Sequence, residues 1–139
     1  QQYPEIEICD YNNLKAGKDF LLTSGETLPN EVLTLDPEKP LIYAYCSDTC
    51  YKPDIVEIIK GADLLYHEST FLSDREDLAL KTKHTTAKQA AKIAKQAEVN
   101  KLILGHYSSR YQDISLFQKE AEEIFSNVDL AEAGKVFSV

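Results

Sequence analysis

The chain has 139 residues, 43% of them apolar and 27% charged, with only 5 Gly and 5 Pro. This composition supports a packed core and excludes a collagen-like, low-complexity or largely disordered chain. Fifteen basic against 23 acidic side chains leave a net charge of −8, which argues against a general nucleic-acid coat protein. The chain has no Met and opens at Gln1 without a cationic, apolar leader, and it reads as a piece of a longer protein.

Ile6-Glu7-Ile8-Cys9 alternates like a half-buried strand. Gly17 and Gly25 fall where hairpin turns belong, so residues 1–40 are predicted as short antiparallel strands and turns. Asp36-Pro37-Glu38-Lys39-Pro40 stops any helix, and residues 41–139 are predicted as a β/α layer. Leu41–Cys46 is a continuous apolar run of buried-strand length. Pro53 and Gly61 bracket a predicted helix over Asp54–Lys60. Ala62–Tyr66 is a second buried strand, and a polar helix over Asp74–Lys81 leads to His84.

Thr86-Ala87-Lys88-Gln89 reads as a capping box, and the helix it opens carries Ala87, Ala90, Ala91, Ala94 and Ala97 on one face. Such a stripe implies close approach to a sheet. Lys101–Gly105 is a third strand. A last helix over Ile114–Phe125 precedes strands at Val128–Ala131 and Lys135–Val139, turning at Gly134. The alternation is that of a layered α/β fold.

Charge is uneven along this pattern. Residues 1–80 hold 6 basic and 16 acidic groups, whereas residues 81–110 hold seven basic groups against Glu98 alone. Such a local positive field suits a phosphate-bearing partner, and it equally suits a lysine-covered solvent face. Cys9, Cys46 and Cys50 form no CxxC pair and read as free thiols of a reducing cytoplasm. No apolar run is long enough to span a bilayer.

The polar residues gather where the predicted strands end. Asp48 follows the first, His67-Glu68 the second and His106 the third. Ligands of open α/β sheets collect at such carboxyl ends, and imidazole with carboxylate suits zinc. Each residue also has a plainer reading: Asp48 as a helix cap, His67 as a satisfied core histidine, Glu68 as a capper, His84 as an exposed side chain. Spacing alone supports a metal or phosphate site without naming a reaction.

Tyr45-Cys46-Ser47-Asp48-Thr49, His67-Glu68-Ser69-Thr70-Phe71, His84-Thr85-Thr86-Ala87 and Gly105-His106-Tyr107-Ser108-Ser109-Arg110-Tyr111, taken together, resemble the C-terminal half of ribonuclease Z. That family comprises endonucleases of the metallo-β-lactamase superfamily that trim the 3′ trailer from precursor tRNA. The resemblance implies half of a four-layer αβ/βα fold, a mixed sheet with helices on its outer face. It further implies two zinc ions in the intact enzyme, with Asp48 bridging both and His106 ligating one.

By the same resemblance His84, held by Glu68, stands over the scissile phosphate as catalytic acid. Ser108 and Arg110 fall near RNA phosphates, Lys88 and Lys92 extend that hold, and His67 and Thr49 brace the loops around the metals. The signature His-x-His-x-Asp-His is absent from the chain. The partners implied are precursor tRNA, the missing N-terminal half and a second copy in a homodimer, in the cytoplasm and without a membrane. The chain alone is then expected to be inactive, with one face of its sheet uncovered. The Gly/Pro-rich arm of the family is not recognisable, Tyr3-Pro4 being at most its last remnant, and Cys46-Ser47 stands where many members have a glycine before the aspartate.

Two other readings use the same residues. One is a phosphodiesterase or arylsulfatase-like hydrolase of small esters on the same fold, which needs no positive field over Lys81–Arg110. The other is a non-catalytic RNA- or protein-binding module, which would tolerate loss of Asp48.

Overall fold

The computed structural model describes residues 3–139, and the chain divides into two compact units, Gln1–Pro40 and Leu41–Val139. In the first unit a 3-10 turn over Ile8–Asp10 leads into α1 (Tyr11–Lys15), where sequence alternation predicts a strand. The Asp10 carboxylate accepts the Glu7 amide at 3.0 Å, and the Asp10 amide donates to the Glu7 carbonyl at 3.0 Å. This local pairing gives the backbone a helical start in place of a ladder, and Ile8 is left exposed.

Gly17, at φ +79°, ends α1 in the left-handed region rather than turning a hairpin. The hairpin expected around Gly25 is formed: β1 (Phe20–Leu21) pairs antiparallel with β2 (Thr27–Leu28). A short helix, α2 (Asn30–Leu33), follows, and the Asn30 side-chain Nδ2 donates to the Leu14 and Lys18 carbonyls at 2.8 and 3.0 Å.

The second unit is built on a sheet of β3 (Tyr43–Cys46), β4 (Leu64–Glu68), β5 (Lys101–Gly105) and β6 (Val128–Leu130), in that order. Every neighbouring pair is parallel. Parallel neighbours need long crossovers. They are supplied by α3 (Glu76–Thr82) and α4 (Ala87–Gln96) between β4 and β5, and by α5 (Ser115–Glu122) between β5 and β6.

Three expectations are corrected here. The sheet is parallel, not mixed, because Lys135–Val139 forms no strand; Lys135 instead bonds Asp129, and the Phe137 ring lies beneath the Lys101 and Lys135 ammonium groups. The helix expected over Asp54–Lys60 shrinks to a 3-10 turn at Pro53–Ile55. Its β-branched run, Ile55, Val56, Ile58 and Ile59, is crowded in a helix and loses side-chain freedom there. The Leu41–Cys46 run is an edge strand rather than a buried one, with Tyr43 and Tyr45 exposed.

The α4 prediction corresponds closely to the structure. Thr86 Oγ1 accepts the Gln89 amide at 3.2 Å, and the Gln89 side chain accepts the Thr86 amide at 3.1 Å. Ala87, Ala90, Ala91, Ala94 and Ala97 are fully buried in a core with Leu65, Leu102, Leu104 and Phe117. Strand alternation places Leu65, His67, Leu102, Leu104, Val128 and Leu130 on this helix-covered face.

The opposite face carries Tyr43, Tyr45, Leu64, Tyr66 and Ile103, with the Tyr45 and Tyr66 rings stacked at 4.7 Å. Glu120 of α5 ties the helices together. Its carboxylate accepts the Ser73 amide at 2.9 Å, the Ser73 hydroxyl at 2.6 Å and the Lys88 amide at 3.1 Å. No helix among the described residues is long and apolar enough to cross a membrane.

Candidate metal centre

The carboxyl ends of β3, β4 and β5 lie on one rim of the sheet. Asp48 stands just past β3 and His106 just past β5, and both take positive φ, +49° and +60°. Left-handed backbone at a non-glycine residue carries strain that the surroundings must hold. Here the turn brings the two side chains together: Asp48 Oδ1 lies 3.2 Å from His106 Nε2. His84, between α3 and α4, stacks obliquely on His106 with ring centroids 5.2 Å apart. Ligand atoms of Asp48, His84 and His106 all fall within 4.8 Å of one another.

Behind these three sits Glu68, the last residue of β4, with its side chain fully buried. A buried carboxylate is costly unless every lone pair is occupied. Glu68 accepts five hydrogen bonds. Oε1 takes the Thr49 amide at 3.2 Å and His84 Nδ1 at 2.8 Å. Oε2 takes the Thr70 amide at 3.0 Å, the Thr70 hydroxyl at 2.8 Å and the Thr85 amide at 3.2 Å. One side chain therefore joins the loops after β3 and β4 to the loop before α4. Thr85 closes the set by donating its hydroxyl to the Thr49 carbonyl at 2.5 Å.

The backbone around Glu68 extends this order. The Ser69 amide donates to the Gly105 carbonyl at 2.8 Å, and the Ser108 amide to the Thr70 carbonyl at 3.0 Å. Phe71 bridges Thr86 in parallel, so residues 69–71 run between the His106 loop and the start of α4. Gly105 is required by contact rather than by φ. A Cβ there would meet Tyr66 Cε2 at 2.6 Å and Cζ at 2.7 Å. Gly105→Ala is expected to destabilise the protein by about 1–3 kcal/mol through this overpacking. Urea unfolding checks it; an unchanged midpoint would show that Tyr66 yields freely.

The remaining sequence candidates are distributed differently. Thr49 joins the cluster through its amide. His67 does not: it faces the helix layer, fully buried, with Nδ1 2.8 Å from the Glu68 carbonyl and Nε2 without a partner among the described residues. Burial holds its pKa below the ordinary 6.5, against the opposing pull of that carbonyl.

The unfolded chain then takes up a proton near pH 6.5 that the folded chain refuses, so His67 costs no stability above that pH and stability falls as pH drops below it. The slope contributed is at most about 1.4 kcal/mol per pH unit. Unfolding curves between pH 7.5 and 5 check this against His67→Leu, which should flatten the acid limb; equal slopes in both proteins would refute it.

Among the candidate phosphate contacts, Lys88 is engaged with Glu123 at 3.0 Å, a pairing that raises its pKa. Lys92 and Arg110 are exposed, and Arg110 Nη1 lies 3.4 Å from Ser108 Oγ. Sequence reasoning did not single out Thr70, Thr85 or Glu120. The available signal was the density of hydroxyl residues in Glu68-Ser69-Thr70 and His84-Thr85-Thr86, where buried charge needs short donors.

The donor chemistry fits a metal ion. Glu68 and Thr70 occupy the Nδ1 sides of His84 and His106, leaving Nε2 of each ring as the remaining donor atom. An imidazole lone pair and a carboxylate oxygen 3.2 Å apart repel unless a proton or cation lies with them. That spacing is close to the roughly 3.3 Å between ligand atoms on a tetrahedral zinc with 2.0–2.1 Å bonds.

Residues 33–107 match the family described as the beta-lactamase superfamily domain. The chain belongs to that superfamily. The ribonuclease Z of Parabacteroides distasonis is 48% identical over 135 residues, 97% of this chain and 44% of that protein. The ribonuclease Z of Phocaeicola vulgatus is 47% identical over 127 residues, 91% of this chain and 41% of that protein. The chain thus spans less than half the length of the curated relatives it matches.

Among solved superfamily structures, the metallo-beta-lactamase fold protein YhfI from Bacillus subtilis aligns with a TM-score of 0.65 at 29% identity. It covers 69% of this chain and 39% of that one. A long-form RNase Z from yeast aligns at 0.57 and 28% identity, over 64% of this chain and 12% of that one. Both the superfamily fold expected for the chain and the resemblance to ribonuclease Z are therefore supported by independent comparison.

Proposed function

We propose that this chain is the C-terminal half, residues 1–139, of a zinc-dependent endoribonuclease that removes the 3′ trailer from precursor tRNA in the cytoplasm. The observation that carries the reading is the convergence of Asp48, His84 and His106 on one rim, held by a single buried carboxylate. Similarity to ribonuclease Z supplies the substrate class.

In this reading Asp48 and His106 would hold metal, with the other ligands coming from the N-terminal half. Bound zinc would activate a water and stabilise charge on the phosphoryl oxygens. His84 as the imidazolium turns Nε2–H to the scissile phosphate and passes that proton to the departing 3′ oxygen, leaving a neutral ring whose Nδ1–H stays on Glu68. Glu68 holds the ring in that orientation. Ser108, Arg110, Lys88 and Lys92 contact RNA phosphates, with Lys88 first leaving Glu123.

The open aromatic face around Tyr43, Tyr45 and Tyr66 is the side that the N-terminal half covers, and the assembled enzyme acts as a homodimer. The experiment compares cleavage of a 3′-extended precursor tRNA and of a small phosphodiester by the full-length protein. Strong preference for the tRNA supports the reading. Equal or better turnover of the small diester would favour the small-ester hydrolase.

A further inference from the structure

The hydroxyl of Thr70 has one proton and two neighbours, Glu68 Oε2 at 2.8 Å and His106 Nδ1 at 2.8 Å. The carboxylate oxygen can only accept, so the Thr70 proton goes to Glu68. Thr70 Oγ1 is then an acceptor toward His106, and His106 Nδ1 must carry a hydrogen to meet it. From this geometry we infer that Thr70 is a positioning residue that commits His106 to the Nδ1–H form and directs its Nε2 lone pair toward Asp48.

The same carboxylate acts directly on His84, whose Nδ1 lies 2.8 Å from Oε1. Glu68 thereby sets both imidazoles, one by contact and one through a threonine. Thr70 suits the task because its backbone is tied on both sides. Its amide is also bonded to Glu68, its carbonyl takes the Ser108 amide, and the residue is only 7% exposed. A rotating hydroxyl on a fixed backbone leaves His106 a single partner on that side. Without it, the ring could exchange its proton between nitrogens, with Nε2–H toward Asp48 Oδ1 at 3.2 Å, or turn away from that 72% exposed side chain.

The inference rests on the proposed reading of Asp48 and His106 as metal ligands, and its test separates the two. Nitrogen-15 NMR of histidine side chains in the metal-free full-length protein reads the tautomer directly, with His106→Gln assigning the signal. A hydrogen on Nδ1 of His106 is the expected result, and a predominant Nε2–H form would overturn the inference whether or not the protein binds metal.

Zinc and cobalt(II) titrations of Thr70→Val and Thr70→Ser then give the consequence. The valine variant should bind both ions about 10–100-fold more weakly, as expected when a ligand's hydrogen-bond support is lost. It should also alter the visible spectrum of the cobalt form. The serine variant, which keeps the hydroxyl, should lie within about threefold of wild type. Wild-type affinity and an unchanged cobalt spectrum in Thr70→Val would overturn the relay while leaving the metal reading intact. A wild-type protein that binds neither ion would overturn the metal reading and leave the tautomer result to decide the relay. Should Thr70→Val fail to fold, the serine variant and the wild-type tautomer still decide it.

Discussion

Glu68→Ala is expected to destabilise the protein by about 3–5 kcal/mol, the cost of breaking a buried charged cluster by removing one member. Four donors besides His84 lose their acceptor at once: the Thr49, Thr70 and Thr85 amides and the Thr70 hydroxyl. None of the three amides can be rescued by a shorter side chain, because they approach from different loops. Glu68→Gln keeps the shape but places an NH2 group, itself a donor, against donors that remain, so its loss should approach that of alanine.

The effect extends beyond stability. With Glu68 gone, His84 and Thr70 lose their common anchor, and the Asp48–His84–His106 cluster should disperse. Chemical denaturation measures the first effect and metal affinity the second. A Glu68→Gln protein with wild-type stability would show that the five hydrogen bonds are replaceable by solvent.

The second large effect is expected at Asp48 and is of the opposite kind. Its side chain is 72% exposed, so substitution should change stability by no more than about 0.5 kcal/mol. Asparagine is the informative replacement, since it tolerates the +49° φ as aspartate does and differs mainly in charge. In the full-length protein Asp48→Asn should lower the rate of trailer cleavage by roughly 10²–10³-fold or more, equivalent to the several kcal/mol that a metal ion contributes as a Lewis acid. Folding and tRNA binding should persist. A binding module would keep its function in this variant, and retained cleavage would remove Asp48 from the metal centre.

Where a single local signal dominates, the sequence predicts the structure well. The Thr86 capping box and the alanine spacing specify α4 and its buried face, and Lys101–Gly105 is a strand with the predicted ends. The first forty residues lack such a signal. Ile6 to Cys9 alternates, yet Glu7 and Asp10 satisfy each other's backbone locally and turn the chain into a helix. The apolar run at Leu41–Cys46 predicts a strand correctly but not its edge position, because composition does not say how many neighbours a strand will have.

At the site, the strand-end positions of Asp48, His67-Glu68 and His106 already suggest a common rim, although His67 turns into the helix layer instead. The organising role of Glu68 is not visible at that level. Its partners lie 2 to 19 residues away and act through backbone amides, which every residue possesses and no motif records. Thr70 is hidden for the same reason: its role depends on His106, 36 residues further on.

On the proposed reading, the Asp48–His84–His106 cluster is one part of a metal centre completed by ligands outside residues 1–139. Three side chains at one rim, two of them assigned to metal, are too few to retain two zinc ions. Zinc content, measured by elemental analysis on purified full-length protein and on residues 1–139 after identical dialysis, tests this most directly. About two zinc ions per full-length chain and well below one for residues 1–139 are expected. Stoichiometric zinc in residues 1–139, together with trailer cleavage by that chain alone, would contradict it.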